Sequence, residues 1–321
     1  MAMGKIIMTT EELILKYTLG TRERFSRIQK NFFINEMGND FKNLGYSVKV
    51  ITGNQKKRKG YNLVVGDLEN ASTIIHAYYD TPSHYFGNPA KYHPFNGPST
   101  FASAFLPSIT PLIICSVIAF YIFFTQVPNF DFTNRPLFSY FYSVLLFIML
   151  IVPTYMMNGV ANKVNSNRNT SGCVAALKTA EVLSEEQRKK VAFVLTDYGC
   201  SHHTGDYILR NAIPDSIDKK LVILLDCVGN GTKFAVGYKE GFKELATKLA
   251  NCFENSAFKV NCPPENLRYT SFSFYPKSLL ISKIVEHKNS LIVENTSTKN
   301  DIYCHEEDID AVANALKDFI K

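Results

Sequence analysis

Two aspartates, Asp80 and Asp226, each follow an apolar run. Carboxylates at such strand ends are what a divalent metal ion or a hydrolytic general base requires. Cys200 is followed closely by His202 and His203, which supplies a thiol and a base for a nucleophilic pair. His76, Cys304 and His305 add donors from which a rearranged Cys/His/Asp metal site could be assembled. Each group has a plainer reading. A strand-end carboxylate can cap the next helix by accepting backbone N–H groups, and adjacent histidines in a polar loop can simply face solvent. Arg168 bears on the choice, because its cation is permanent and would repel a dication in a partly dry pocket. It is suited to pair with Asp226 or Asp80 and to fill the space of a metal.

These residues need a scaffold. Residues 46–52 and 61–67 alternate like strands, with the basic run Lys56-Lys57-Arg58-Lys59 between them as a solvated turn or a contact for anionic lipid. Residues 72–77 read as a short apolar strand, and 190–196 and 221–225 as uninterrupted apolar strands of the kind buried at the centre of a sheet. Helical spacing is read over 11–44, where Phe25, Ile28, Phe32, Phe33, Met37 and Phe41 recur at three- and four-residue steps. Further helices are read over 171–183, 240–253 and 306–320. Strands alternating with helices predict an α/β fold, a three-layer sandwich around a mixed, largely parallel sheet.

Residues 106–124 and 138–157 carry no charge and are each long enough to cross about 30 Å of hydrocarbon as a helix. The polar turn at 128–136 between them predicts a transmembrane hairpin, and the prolines Pro107, Pro111 and Pro153 are read as lying near span ends. The organisation expected is a discontinuous domain, 1–103 with 159–321, interrupted by a hairpin at 104–158. Lys91 before the spans and Lys163 and Arg168 after them place the termini and the domain in the cytoplasm, in a multi-pass protein of the cell membrane. Glu11 and Glu12 break any signal-peptide pattern at the N-terminus. The seven cysteines form no Cys-x-x-Cys pair, which suits reduced thiols. The net charge of +6 comes without a basic stripe interleaved with aromatics, so nucleic acid is not an expected partner.

The order of segments resembles the M28 family of zinc aminopeptidases, whose relatives include glutaminyl cyclases. The resemblance is carried by Ala77-Tyr78-Tyr79-Asp80-Thr81, Asn169-Thr170-Ser171-Gly172, the segment 193–205, Leu225-Asp226-Cys227-Val228-Gly229 and the closing stretch 295–302. It implies a pair of zinc ions bridged by a carboxylate, with a Glu as general base. Carried over by position, the first ligand His falls on Tyr78 and the carboxylate that orients it on Asp80. The bridging Asp falls on Arg168, the general base on Gly199 and the adjacent Glu ligand on Cys200. The next Asp ligand is kept as Asp226, and the last His falls on Ser297.

The resemblance therefore implies the fold and a lost zinc site: a pseudoenzyme with no metal and no catalytic residues. Such a chain is expected to bind a peptide, or to scaffold membrane-protein partners, through the inherited cleft. The alternatives are an active hydrolase, aminopeptidase or acyltransferase with a rebuilt Cys/His/Asp site, and a purely structural subunit of a membrane complex.

Overall fold

The apolar runs all become strands of one nine-stranded sheet, because both faces of its centre are covered. The computed structural model describes residues 8–84, 91–126, 137–157, 160–288 and 290–321. In its first half the chain forms α1 (Thr10–Leu15), α2 (Arg27–Asn43), β1 (Val48–Gln55), β2 (Arg58–Val65), β3 (Thr73–Tyr78), the short β4 (Ser83–His84), α3 (Gly97–Gln126) and α4 (Leu137–Met157). There follow β5 (Val160–Ala161), α5 (Ser171–Val182), α6 (Glu185–Lys190), β6 (Val191–Thr196), α7 (Thr204–Ala212), β7 (Leu221–Leu225) and β8 (Lys233–Tyr238). The chain ends with α8 (Lys243–Ala250), β9 (Phe258–Asn261), β10 (Ser278–His287), β11 (Ser290–Ile292) and α9 (Glu306–Phe319).

The sheet runs β1-β2-β6-β3-β7-β10-β8-β9, with β11 paired to β10. Its centre, β6-β3-β7-β10, is parallel, and antiparallel pairs flank it, so the sheet is mixed. β6 and β7 are buried along their whole lengths, as their unbroken apolar runs predicted, and β3 is buried likewise although it carries His76. One face carries α1, α2, α5 and α9, whose Leu13, Phe33, Val174 and Ile309 meet Ile75, Phe193 and Ile223. The other face receives Leu209 of α7 with Phe272 and Tyr275, which meet Ile74, Val194 and Leu224. This is a three-layer α/β architecture.

Three expectations need correction. The helical stretch 11–44 is broken, since α1 passes through a wide turn at Lys16–Gly20 and α2 restarts with a capping box of Ser26 and Gln29. Of the supposed stripe, Phe33, Met37 and Phe41 are buried, whereas Phe25, Ile28 and Phe32 are exposed. The helix read over 240–253 is the shorter α8, because the chain turns through Gly241 at φ +85° before it begins. Pro107 and Pro111 lie inside α3 rather than at its end. They remove the usual i+4 donors to the carbonyls of Ser103 and Pro107, while the hydroxyls of Ser108 and Thr110 fold back onto the carbonyls of Phe105 and Leu106.

Among the described residues one helix, Gly97–Thr125, is long and apolar enough to cross a membrane. α4 packs against it. The polar turn of the expected hairpin, 128–136, and residue 158 at its expected end lie outside the described residues.

Candidate functional site

In a parallel sheet all strands deliver their C-terminal ends to one edge, where ligand crevices form. Here β3 delivers Tyr78 and Asp80, β6 the loop 197–203, and β7 Asp226 and Cys227. Facing them is the wide helical turn Ser166–Thr170 that leads into α5. That turn is locked from several directions. Asp301 accepts from the backbone N–H of Asn167 at 2.9 Å and of Arg168 at 3.3 Å. The Asn167 side chain accepts from Gly229 N–H at 2.9 Å. Arg24, fully buried, donates to Thr170 Oγ1 at 3.0 Å and to the Tyr79 carbonyl at 2.5 Å. α5 itself lies tight on the sheet, since a Cβ at Gly172 would sit 2.8 Å from the Leu225 carbonyl oxygen.

From this platform Arg168 reaches into the crevice, where its guanidinium Nη1 donates to Asp226 Oδ1 and to Tyr78 Oη. The guanidinium also lies over two aromatic rings, Tyr92 at 3.5 Å and Tyr78 at 4.9 Å, in cation–π geometry. Tyr92 Oη donates to Asp226 Oδ2, so both carboxylate oxygens are taken. Tyr78, Arg168 and Asp226 are buried, and Tyr92 is half-buried. Burial works against the arginine cation, but Asp226 and the two phenols outweigh it and hold its pKa well above the ordinary value. Burial drives both phenols well above their ordinary range, so they remain neutral donors.

Asp80 is not the partner of Arg168. Its carboxylate turns to the other side and accepts from the N–H of Gly199 at 2.7 Å and of Cys200 at 3.2 Å, fixing the loop after β6. Burial, opposed by Lys30, pushes Asp80 up to about 6. Gly199 is required for steric reasons, because a Cβ there would fall 2.3 Å from Tyr78 Cβ. Cys200 Sγ contacts Asn169 Nδ2 at 3.2 Å and the Asp80 carbonyl at 3.3 Å. Burial raises this thiol far from the thiolate form.

The histidines go elsewhere. His76 Nε2 meets Asp206 at 2.8 Å in the core. His203 meets Asp206 at 3.3 Å, Ser271 Oγ at 3.1 Å and the Tyr269 carbonyl at 3.1 Å. Against the effect of burial, the two imidazoles hold Asp206 well below the carboxylate range. Cys304 and His305 line a separate surface groove near α1, and Ser297 does not line the crevice. The structure thus brings Tyr78, Arg168 and Asp226 together, ties Asp80 to Gly199 and Cys200 of the adjoining loop, and does not place Ser297 in the pocket lining.

Sequence reasoning missed Tyr92, Asp301 and Arg24. Tyr92 lies in a stretch without periodicity, and only its pairing with Val293 brings it to the crevice. Backbone geometry gives a further sign of the site. Tyr198, His203 and Cys227, all in the segments after β6 and β7, adopt left-handed φ angles of 54–57°, rare for non-glycine residues.

Above Arg168 a pocket of ≈ 290 Å³ remains. Its walls come from the 199–203 loop, Thr270, Ser271, Phe272, and the first turns of α3 through Phe101 and Phe105. Among the described residues no three His, Cys, Asp or Glu side chains are grouped as a metal site would need. The donor set does not fit a pair of zinc ions, because its one central carboxylate, Asp226, is engaged by a permanent cation.

No family model and no curated protein sequence matches the chain. Solved structures do match in fold. A Zn-dependent exopeptidase from Parabacteroides distasonis superposes with a TM-score of 0.60 at 11% identity, over 97% of both chains. Glutaminyl cyclases from Porphyromonas gingivalis and Bacteroides thetaiotaomicron give TM-scores of 0.57 and 0.58 at 11% and 12% identity, again over 97% of both chains. The chain therefore has a zinc exopeptidase-like fold.

Proposed function

We propose that the chain is a membrane-anchored, non-catalytic relative of the M28 peptidases that binds a peptide through the cleft of that fold. The observation that carries this reading is the ion pair of Arg168 with Asp226, enclosed by Tyr78 and Tyr92. By the resemblance drawn from sequence, Arg168, Tyr78 and Asp226 stand where the peptidases hold their bridging carboxylate and two further ligands. A guanidinium there supplies the positive charge that metal would supply, so Asp226 stays buried without an ion. The general-base position is Gly199, which has no room for a side chain. The pocket left above this cluster keeps the cleft open to a ligand.

Membrane attachment is supported by α3 and by the outward faces of both apolar helices. Val117, Phe120, Tyr121 and Phe124 of α3, and Phe141, Val144 and Phe147 of α4, are exposed. Uncovered apolar surface on this scale suits hydrocarbon better than water. We read α3 and α4 as two spans with the domain on the cytoplasmic side.

Metal analysis of the purified full-length protein tests the non-catalytic reading. Far less than one zinc per chain is expected, and about two tightly held ions per chain would overturn it. A thiol enzyme is the second chemistry on offer, but the described hydrogen bonds place no histidine on Cys200. Any turnover that Cys200→Ala abolishes would restore that option. A purely structural subunit is favoured by the filled cleft floor and opposed by the open volume above it. Failure of a panel of peptides to bind the detergent-solubilised protein would favour the structural role.

A further inference from the structure

The wall that α3 gives to the pocket is a single stripe of that helix: Gly97, Thr100, Phe101, Ala104, Phe105 and Ser108, at three- and four-residue steps. The helix then continues, apolar, to Thr125. At a rise of about 1.5 Å per residue, the stretch beyond Phe105 is about 30 Å long, enough to cross hydrocarbon, and of the helix only the turns up to Ser108 line the pocket. The base of the helix is fixed there. Phe101 stacks on Tyr269 at 4.9 Å, and Gly97 lies so close to the Arg268 carbonyl that a Cβ would fall 1.8 Å from its oxygen. The pocket is therefore continuous along one helix face with the segment that would enter the bilayer.

Its inner end is polar but electrically matched. Arg168 is held by Asp226, and the His203 ring is engaged by Asp206, Ser271 and the Tyr269 carbonyl, so neither side chain is left for a phosphate or carboxylate. Ser201 and His202 remain at the lining, where hydroxyl and imidazole groups can both donate and accept, and the Thr270 hydroxyl, which donates to the Leu267 carbonyl, keeps a lone pair to accept with. A peptide amide, itself a donor and an acceptor, satisfies such a surface without adding an unmatched charge. We infer that the pocket takes the apolar end of a peptide that reaches it from the bilayer along α3. This inference rests on the peptide-binding reading above and names the kind of peptide.

The test uses the full-length protein in phosphatidylcholine nanodiscs. One probe is a dansyl-labelled peptide with a leucine- and phenylalanine-rich half that partitions into lipid. The other is a serine- and glycine-rich peptide of equal length that stays in water. The lipid-partitioning peptide is expected to bind, and Ala104→Trp, which fills the pocket from α3, is expected to weaken it about tenfold or more. Phe105→Ser is expected to weaken it as well, whereas Ile114→Trp, beyond the pocket stripe, leaves it unchanged. If both peptides bind equally and neither pocket variant matters, the bilayer route is overturned while peptide binding stands. If neither peptide binds and a photoreactive benzoylphenylalanine at position 105 captures phospholipid instead, the occupant is an acyl chain and the inference fails. If neither peptide binds and nothing is captured, the peptide-binding reading fails with it.

Discussion

Arg168 and Asp226 depend on each other because neither is hydrated enough to stand alone. Truncating Arg168 to Met leaves a buried carboxylate without its cation, an outcome that costs about 3–5 kcal/mol in comparable buried pairs. Arg168→Met combined with Asp226→Leu is expected to recover much of that loss, as seen by denaturant unfolding of the detergent-solubilised protein. An unchanged midpoint in the single variant would mean that water reaches Asp226. Gly199 and Tyr78 are coupled by shape rather than by charge. Gly199→Ala drives a methyl group into the Tyr78 side chain and is expected to cost about 1–3 kcal/mol. The cost should shrink when Tyr78→Ala is added, so additive losses in that double-mutant cycle would refute the contact. Asp301 carries a pH signature. Burial pushes its carboxyl up to about 8, although it accepts N–H groups from Asn167 and Arg168. A carboxyl raised in the folded state favours folding below its unfolded pKa of about 4 and loses that contribution as pH rises through about 8. Between about pH 5 and pH 8 the wild type should therefore lose stability relative to Asp301→Asn. Parallel stability–pH curves for the two proteins would count against this assignment.

At the scale of elements, the base of α3 is held by fit as well as by burial. Phe95 is buried against Gly237 of β8, where a Cβ would meet its ring at 2.6 Å, and Gly97 packs on the 268–270 loop. Gly97→Val should unseat the first turns of α3, with a loss of about 1–3 kcal/mol or more and faster proteolysis around residues 91–97. Cleavage at the wild-type rate would show that α3 is not seated as described. The elements that the sequence made legible are those with one dominant signal. Unbroken apolar runs marked β6 and β7, because strands covered on both faces need no polar alternation, and a shorter apolar run marked β3. The hairpin β1–β2 was marked by its basic turn, where Lys56 takes a left-handed φ of 55°. What was illegible depended on contacts distant in sequence. Phe25, Ile28 and Phe32 share a helical period with buried neighbours, and nothing local shows that the period is interrupted before Ser26. Tyr92 reaches the crevice only through a bridge to Val293, two hundred residues away in order of magnitude. The pairing of Arg168 with Asp226 rather than Asp80 was likewise open until the Gly199 and Cys200 amides were seen to occupy Asp80.

For the whole molecule, the fold decides where charge can act on orientation. Of the flanking cations read from sequence, Arg168 is buried and ion-paired inside the domain, so it cannot face lipid headgroups. Lys163, which follows α4, and Lys91, which precedes α3, are both exposed and remain to bias the topology. In the two-span reading proposed above, retention of positively charged flanks on the cytoplasmic side would place the zinc exopeptidase-like domain, and with it the α9 C-terminus, in the cytoplasm. The polar inner end of the pocket would face that compartment, while the α3 stripe leads toward the hydrocarbon. A green fluorescent protein fused after Lys321 should therefore fluoresce in intact cells, since it matures in the cytoplasm. Alkaline phosphatase fused at the same point, which needs export to become active, should stay silent. Replacing Lys91 and Lys163 together by Gln should shift part of the population toward the inverted arrangement if these two residues set the bias. An active phosphatase fusion on the unmodified chain would place the domain outside the cell, and the reduced state expected for its cysteines would then have to be abandoned as well.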